Sequence, residues 1–268
     1  MDVVFRASDI GFSDIYDIGA FRAIDHGVIT SANVMIDGID AVPALRKLRE
    51  RPQVSIEWQR NLWERPILPP EQVPSMVDGR GMFAWGHDKK SPLYANATYD
   101  DSYREFKAEI ELCIEHAGRA PVCSGTFSFE GELERAYLDV CNEYGIVVNP
   151  YSYDLFPANE AYAETGYTMV VLGPDMLHQG ESHWYDLAYF AEYDPVAWIH
   201  EVGLDRDGKY LITMHPGFVD DHVARTSSMT MHRIREYEFA VSPDILAWTN
   251  ESGMRVMNQR EMLDSLGV

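Results

Sequence analysis

The chain has 268 residues, 46% hydrophobic and 12% aromatic, enough to bury one sizeable core, and it is read as a single domain over residues 1–268. Its 43 acidic against 22 basic side chains give a formal charge of −21, which repels phosphate backbones and anionic lipid and argues against nucleic acid as a partner. No segment approaches the roughly 20 apolar residues of a membrane span, so no membrane partner is expected.

The apolar run Val3–Ala7 predicts a first strand. Met1-Asp2-Val3-Val4-Phe5-Arg6 carries neither a basic leader nor a small-residue cleavage site, and the cytoplasm is the expected compartment. Further short strands rich in Val and Ile are predicted at Ser31–Ile36 and Val54–Trp58. A connection from Asn61 to Asp100 follows, longer than ordinary loops and carrying Trp63, Phe83, Trp85, His87 and Tyr94. Phe106, Ile110, Cys113 and Ala117 then repeat at helical spacing, and Leu133, Tyr137, Val140 and Tyr144 do so after a strand at Pro121–Phe127. Strands at Ile146–Val148, Met169–Leu172 and Tyr210–Met214 complete the series, with a second long connection, Tyr151 to Tyr167, carrying Tyr151, Tyr153, Phe156 and Tyr162. Aromatic rings on such connections suit either stacking on sugar faces at a pocket rim or anchoring of the loops to the core. Three cysteines, Cys113, Cys123 and Cys141, cannot all pair within one chain and are expected as reduced core residues. The βα alternation implies parallel strands with helices outside them, a pattern that an open doubly wound sheet and a barrel share.

Several stretches carry a resemblance. Val3-Val4-Phe5-Arg6-Ala7-Ser8-Asp9-Ile10-Gly11 is similar to the opening strand of the YdjC/ChbG family of carbohydrate deacetylases, which reads Asn-Ala-Asp-Asp-Phe-Gly there. His26-Gly27-Val28-Ile29-Thr30-Ser31, Asn33-Val34-Met35, the Pro-rich stretch Leu68–Asp78 and Met214-His215-Pro216-Gly217-Phe218-Val219-Asp220-Asp221 follow in the family's order. The resemblance implies a distorted (β/α) barrel of about seven parallel strands, related to TIM barrels, with its site at the C-terminal strand ends. Asp9, Glu57, Phe127 and His215 fall at or just beyond such ends.

In the family an Asp acts as base, a second Asp and two His hold a divalent metal, and a later His protonates the leaving amine. Carried over by position, the base becomes Ser8, the metal-binding Asp is Asp9, and the first metal His becomes Glu57. Where the family has a His-rich stretch, this chain reads Cys123-Ser124-Gly125-Thr126-Phe127-Ser128-Phe129-Glu130-Gly131, so the resemblance implies that most metal ligands are replaced and that no cofactor is retained. A divalent ion, if kept, would fall on Asp9 and Glu57, with Glu130, His178 or His183 as imported ligands. Otherwise Asp9, Glu57 and His215 are the expected catalytic set, and Arg6, Ser8, Arg60, Phe127, Glu130 and Asp220 the substrate-binding set.

Each residue also has a structural reading. Asp9 can cap the next helix, Glu57 can pair with Arg6 or Arg60, His215 can bond a loop carbonyl, and Asp220-Asp221 can open a helix. The expected partner is a small carbohydrate-like molecule, and a homo-oligomer is left open. Three functions follow in order: a repurposed enzyme using metal-independent acid-base chemistry (glycoside cleavage, elimination or isomerisation), a catalytically inactive binding protein, and a deacetylase with a rebuilt metal site.

Overall fold

The computed structural model describes residues 1–84, 92–125, 130–148, 152–153, 167–172, 193–227, 229–251 and 253–268. In chain order its elements are β1 (Asp2–Ile10), α1 (Asp14–His26), β2 (Ser31–Met35), α2 (Ala41–Arg49), β3 (Ser55–Gln59), α3 (Pro92–Asn96), α4 (Tyr99–Ala117), β4 (Cys123–Ser124), α5 (Gly131–Tyr144), β5 (Val147–Val148) and β6 (Ser152–Tyr153). There follow β7 (Thr168–Val171), α6 (Pro195–Val202), β8 (Lys209–Met214), α7 (Asp221–Thr226), α8 (His232–Ala240), α9 (Pro243–Glu251), β9 (Arg255–Val256) and α10 (Gln259–Leu266). Helix starts follow local chemistry: the side chains of Ser13 and Thr98 accept the N–H groups of Tyr16 and Asp101, capping α1 and α4.

Among the described residues all strand pairings within the sheet are parallel, and the order is β5-β4-β3-β2-β1-β8-β7-β6. That order decides between the two architectures left open by the sequence. A doubly wound sheet reverses direction at a switch point; here each strand neighbours the next in sequence, as in a ring opened between β5 and β6. The sheet is a curled (β/α) barrel-like layer with helices around it. Two-residue β6 and β9 lie at its edge and against the start of β1, and the other seven strands match the expected number. Among the described residues of the strand expected at Pro121–Phe127, Cys123 and Ser124 make ladder pairs, with Glu57 and Trp58 of β3 and with Val147 and Val148 of β5.

Alternation sorts the side chains. Val3, Phe5 and Ala7 of β1, Ala32 and Val34 of β2, Ile56 and Trp58 of β3, and Ile212 and Met214 of β8 join the large core beneath the helices. Trp58 packs there against Phe106 and Tyr137, with ring centroids 5.5 and 5.2 Å away. Burying each such side chain contributes about 1.5–3 kcal/mol. The opposite face fills the barrel: Val4, Tyr167, Met169, Val171, Leu211, Met257 and Met262 close its lower end. Above them the interior positions turn polar, with Arg6, Ser8, Asn33, Glu57, Gln59 and Thr213 all buried. The three cysteines are buried and unbridged, as expected.

In the connection after β3, Val73, Met76, Phe83 and Leu93 are buried in the large core. Anchoring therefore accounts for Phe83; Trp85, His87, Tyr151, Phe156 and Tyr162 lie outside the described residues. Among the described residues no helix is long and apolar enough to cross a membrane.

Candidate functional site

The upper end of β1 carries an irregularity. Ala7 registers with Ala32 and Ile10 with Val34, so β1 spends one more residue than β2 over this interval, at Ser8 and Asp9. A bulge of this kind re-aims a side chain. Asp9 there has φ of 60°, a left-handed conformation that costs a non-glycine residue about 1–2 kcal/mol. Its surroundings hold it in place. Its N–H donates to Gln59 Oε1 at 2.8 Å, Gln59 Nε2 donates back to Asp9 Oδ1 at 2.6 Å, and Arg233 Nη2 lies 2.8 Å from Asp9 Oδ2. Behind the bulge, the Tyr16 hydroxyl donates to the Ser8 carbonyl and the Gly11 N–H to Asp17 Oδ1. Burial opposes the charge on Asp9, but Arg233, His215 and Gln59 outweigh it and hold the carboxyl below its usual range.

Deeper in the barrel, Arg6 Nη1 donates to Glu57 Oε2 at 2.9 Å, Arg6 Nε to Thr213 Oγ1 at 3.0 Å, and the Ser8 hydroxyl lies 3.1 Å from that of Thr213. Burial dominates at Glu57 and raises its pKa, against the pull of Arg6 and of the neighbouring Cys123 thiol. The two expected carboxylates are thus pushed in opposite directions.

His215 follows the last residue of β8. Its N–H donates to Glu236 Oε2, and its ring Nδ1 lies 3.4 Å from the same oxygen. Glu236 is fully buried on α8, whereas the His215 side chain keeps 16% of its surface. The turn after it is sterically fixed: a Cβ on Gly217 would lie 2.0 Å from the Tyr16 ring, so only glycine fits. On the same helix, Arg233 reaches Asp9, donates to the Met229 carbonyl at 2.7 Å, and stacks over Tyr16 and Phe12.

The structure therefore brings Asp9, Glu57, His215, Arg6 and Ser8 to one end of the barrel. Arg6 pairs with Glu57 as one structural reading anticipated, while Arg60 lies over the Tyr137 ring and 3.4 Å from Glu134. Ser13, not Asp9, caps α1. Asp220 caps α7, accepting the Val223 N–H at 2.8 Å, and its carboxylate is committed to that turn. Glu130 is exposed at the start of α5. Phe127, His178 and His183 lie outside the described residues.

Gln59, Thr213, Arg233 and Glu236 escaped the sequence reading. Gln59 and Thr213 stand two residues from Glu57 and His215, so strand periodicity alone could have placed them beside those residues. Arg233 and Glu236 share a helix face at a spacing of three, a pattern that gives no sign of what lies across from it.

The family of YdjC-like proteins matches residues 2–251. The chain belongs to that family. A carbohydrate deacetylase of Enterococcus faecalis is 24% identical over 97% of both chains, and one of Geobacillus stearothermophilus is 24% identical over 96% of both. Among solved structures, a putative cellobiose-phosphate cleavage protein of Enterococcus faecalis superposes with a TM-score of 0.71 at 21% identity, covering 97% of this chain and 98% of that one. That likeness supports the barrel fold of this YdjC-like chain.

Proposed function

We propose that this YdjC-like chain is a cytoplasmic, carbohydrate-active enzyme that works on a sugar or sugar-like small molecule by acid-base chemistry without a resident metal ion. The observation that carries the reading is how the carboxylates are committed. Asp9 gives one oxygen to Gln59 and the other to Arg233, and Glu57 gives one oxygen to Arg6. Among the described residues no group of three His, Cys, Asp or Glu side chains is gathered around a common point. This donor set departs from the Asp and two His that the family's chemistry uses for its divalent ion, since a carboxylate, Glu57, stands where the first His is expected.

The same arrangement suits proton transfer. His215, backed by the buried Glu236 and facing the charge of Asp9, is the group placed to take and return a proton. Glu57, whose pKa burial raises against the pull of Arg6, is the second carboxyl of the set, and Asp9 is the fixed anion that stabilises imidazolium. Glycoside cleavage, elimination and isomerisation all draw on such a set.

A second reading, metal-dependent deacetylation, is favoured by the activity named for the Enterococcus faecalis and Geobacillus stearothermophilus relatives. One experiment separates the two. N-acetylated and unacetylated sugars are followed by NMR with and without chelator, alongside the metal content of protein incubated with zinc, magnesium and manganese. Chelator-insensitive turnover that falls at least about 100-fold in His215→Ala is the expected result. Acetate release abolished by chelator and restored by one bound ion per chain would replace this reading with the second.

A further inference from the structure

Behind β3, away from the barrel interior, three acids close on the chain that leaves the strand. Asp37 stands two residues past β2, and Glu105 and Glu109 lie four apart on one face of α4. All three are buried. Asp37 Oδ2 accepts the Trp63 and Glu64 N–H groups at 2.8 and 3.4 Å, and Glu105 accepts those of Ile67 and Leu68 at 2.6 and 3.1 Å, one on each oxygen. Glu109 accepts the indole N–H of Trp58, which lies in β3 between Glu57 and Gln59. Two acids thus hold the backbone of residues 63–68, and the third holds the strand from which that segment departs.

Among the described residues no Arg, Lys or His side chain bonds any of the three. The charged groups facing them are acidic as well: Glu64 faces Asp37, Asp37 faces Glu105, and both face Glu109. Arg60, just past β3, lies over the Tyr137 ring and beside Glu134 of α5, and His222 of α7 lies 3.3 Å from the Glu64 carboxylate. Like charges in so dry a place do not all ionise without a cation, so the group keeps protons. Two positions suit them. Asp37 Oδ1 and Glu109 Oε1 are buried without a hydrogen-bond partner among the described residues, and a proton on either leaves every N–H bond intact.

We propose that Asp37, Glu105 and Glu109 form a proton-operated latch, which seats residues 63–68 against α4 while the group holds protons and frees that segment when they leave. Burial and mutual repulsion keep these acids protonated to higher pH when seated than when opened into water, so opening grows as pH rises through about 6 to 7. The consequence falls at the barrel mouth. Gln59, which holds Asp9, closely precedes the latched segment, and Glu64 within it carries the carboxylate that meets His222, whose ring packs on Phe12 at 5.2 Å. An unseated segment takes Glu64 away from His222 and opens that side of the strand ends. The latch does not depend on which reaction the barrel performs.

The test is amide hydrogen exchange of the full chain at pH 5 and pH 8, each rate divided by that of the unstructured chain at the same pH. Wild type loses at least about tenfold protection over residues 63–68 between the two, because one proton released per opening shifts the equilibrium tenfold for each pH unit between the two pKa values. Strand β8 keeps its protection. Glu109→Gln retains an acceptor for the indole while removing a proton and a charge, and it shrinks the ratio at least about threefold. Asp37→Asn, which retains an acceptor for the Trp63 and Glu64 N–H groups, does the same and decides alone should Glu109→Gln not fold. Equal wild-type protection at the two pH values overturns the latch, as does the full wild-type ratio in either folded variant. An equal loss in β8 also overturns it, since the whole chain would then be loosening. None of these readouts involves a sugar or turnover, so failure of the latch is distinct from failure of the proposed chemistry.

Discussion

Two groups of buried carboxylates lie on opposite sides of the β3 strand, and they are held by different partners. Inside the barrel, Asp9 and Glu57 are each bonded to an arginine. Outside it, Asp37, Glu105 and Glu109 surround the start of the long connection and are bonded to N–H groups: Asp37 to Trp63 and Glu64, Glu105 to Ile67 and Leu68, Glu109 to the Trp58 indole at 2.7 Å. All five are buried. Burial raises the outer three, with repulsion from Glu64 adding to it at Asp37, from Asp37 at Glu105 and from both Asp37 and Glu105 at Glu109, taking Asp37 to about 6, Glu105 to about 7 and Glu109 well above its ordinary value. Asp9, equally buried, is lowered. Glu57 is raised despite Arg6, so one adjacent arginine does not overcome depth, whereas Arg233, His215 and Gln59 together do at Asp9.

Breaking the inner arrangement has the largest expected effect. Arg233→Met leaves the Asp9 charge buried without its cation and costs about 3–5 kcal/mol in denaturant unfolding; a loss under about 1 kcal/mol would show that Asp9 does not depend on Arg233. Next comes the Arg6–Glu57 pair. Arg6→Met or Glu57→Leu alone costs about 3 kcal/mol, whereas the double variant returns to within about 1 kcal/mol of wild type, because desolvation and attraction nearly cancel in a buried pair. Additive losses would mean that Arg6 acts mainly through Thr213.

The outer group sharpens the contrast through pH. A carboxyl whose folded pKa is raised binds its proton more tightly in the folded state, so its contribution is complete below about pH 4 and is lost as pH rises through about 6 to 7. Glu109→Gln keeps an acceptor for the Trp58 indole and removes the charge. It should gain about 1–3 kcal/mol over wild type at pH 8 and little at pH 5. Asp17, raised to about 7 by burial, and His232, lowered by burial, act in the same and the opposite sense respectively, but both are common to the two proteins compared. Equal stability differences at the two pH values would show that Glu109 does not titrate in this range.

The strands and helices were legible because their signals are local, whereas the barrel came from the family resemblance. Apolar runs and helical repeats placed Phe106, Ile110, Cys113, Ala117, Leu133, Tyr137 and Val140 in helix faces, and all are buried. The ring order of strands was not readable from periodicity, which cannot distinguish a barrel from a doubly wound sheet. At the site, Asp9, Glu57 and His215 were readable as strand-end residues. Arg233 and Glu236 were not, because their partners lie more than 200 and about 20 residues away in sequence and no short motif joins them.

Asp220 is the residue on which sequence and structure pull apart most, and it carries the smallest prediction. It belongs to the stretch that resembles the family's His-Pro-Gly motif, which placed it in the substrate-binding set, yet its carboxylate accepts the Val223 N–H and starts α7. A cap loses about 1 kcal/mol when replaced by alanine and is largely retained by serine or asparagine, whose oxygens accept the same bond. Asp220→Ala should therefore lower stability by about that amount, Asp220→Asn should restore most of it, and neither should alter the affinity for a sugar ligand. A binding loss in Asp220→Asn with stability intact would return this carboxylate to the ligand. The His215 turn would then supply both a proton carrier and a sugar contact.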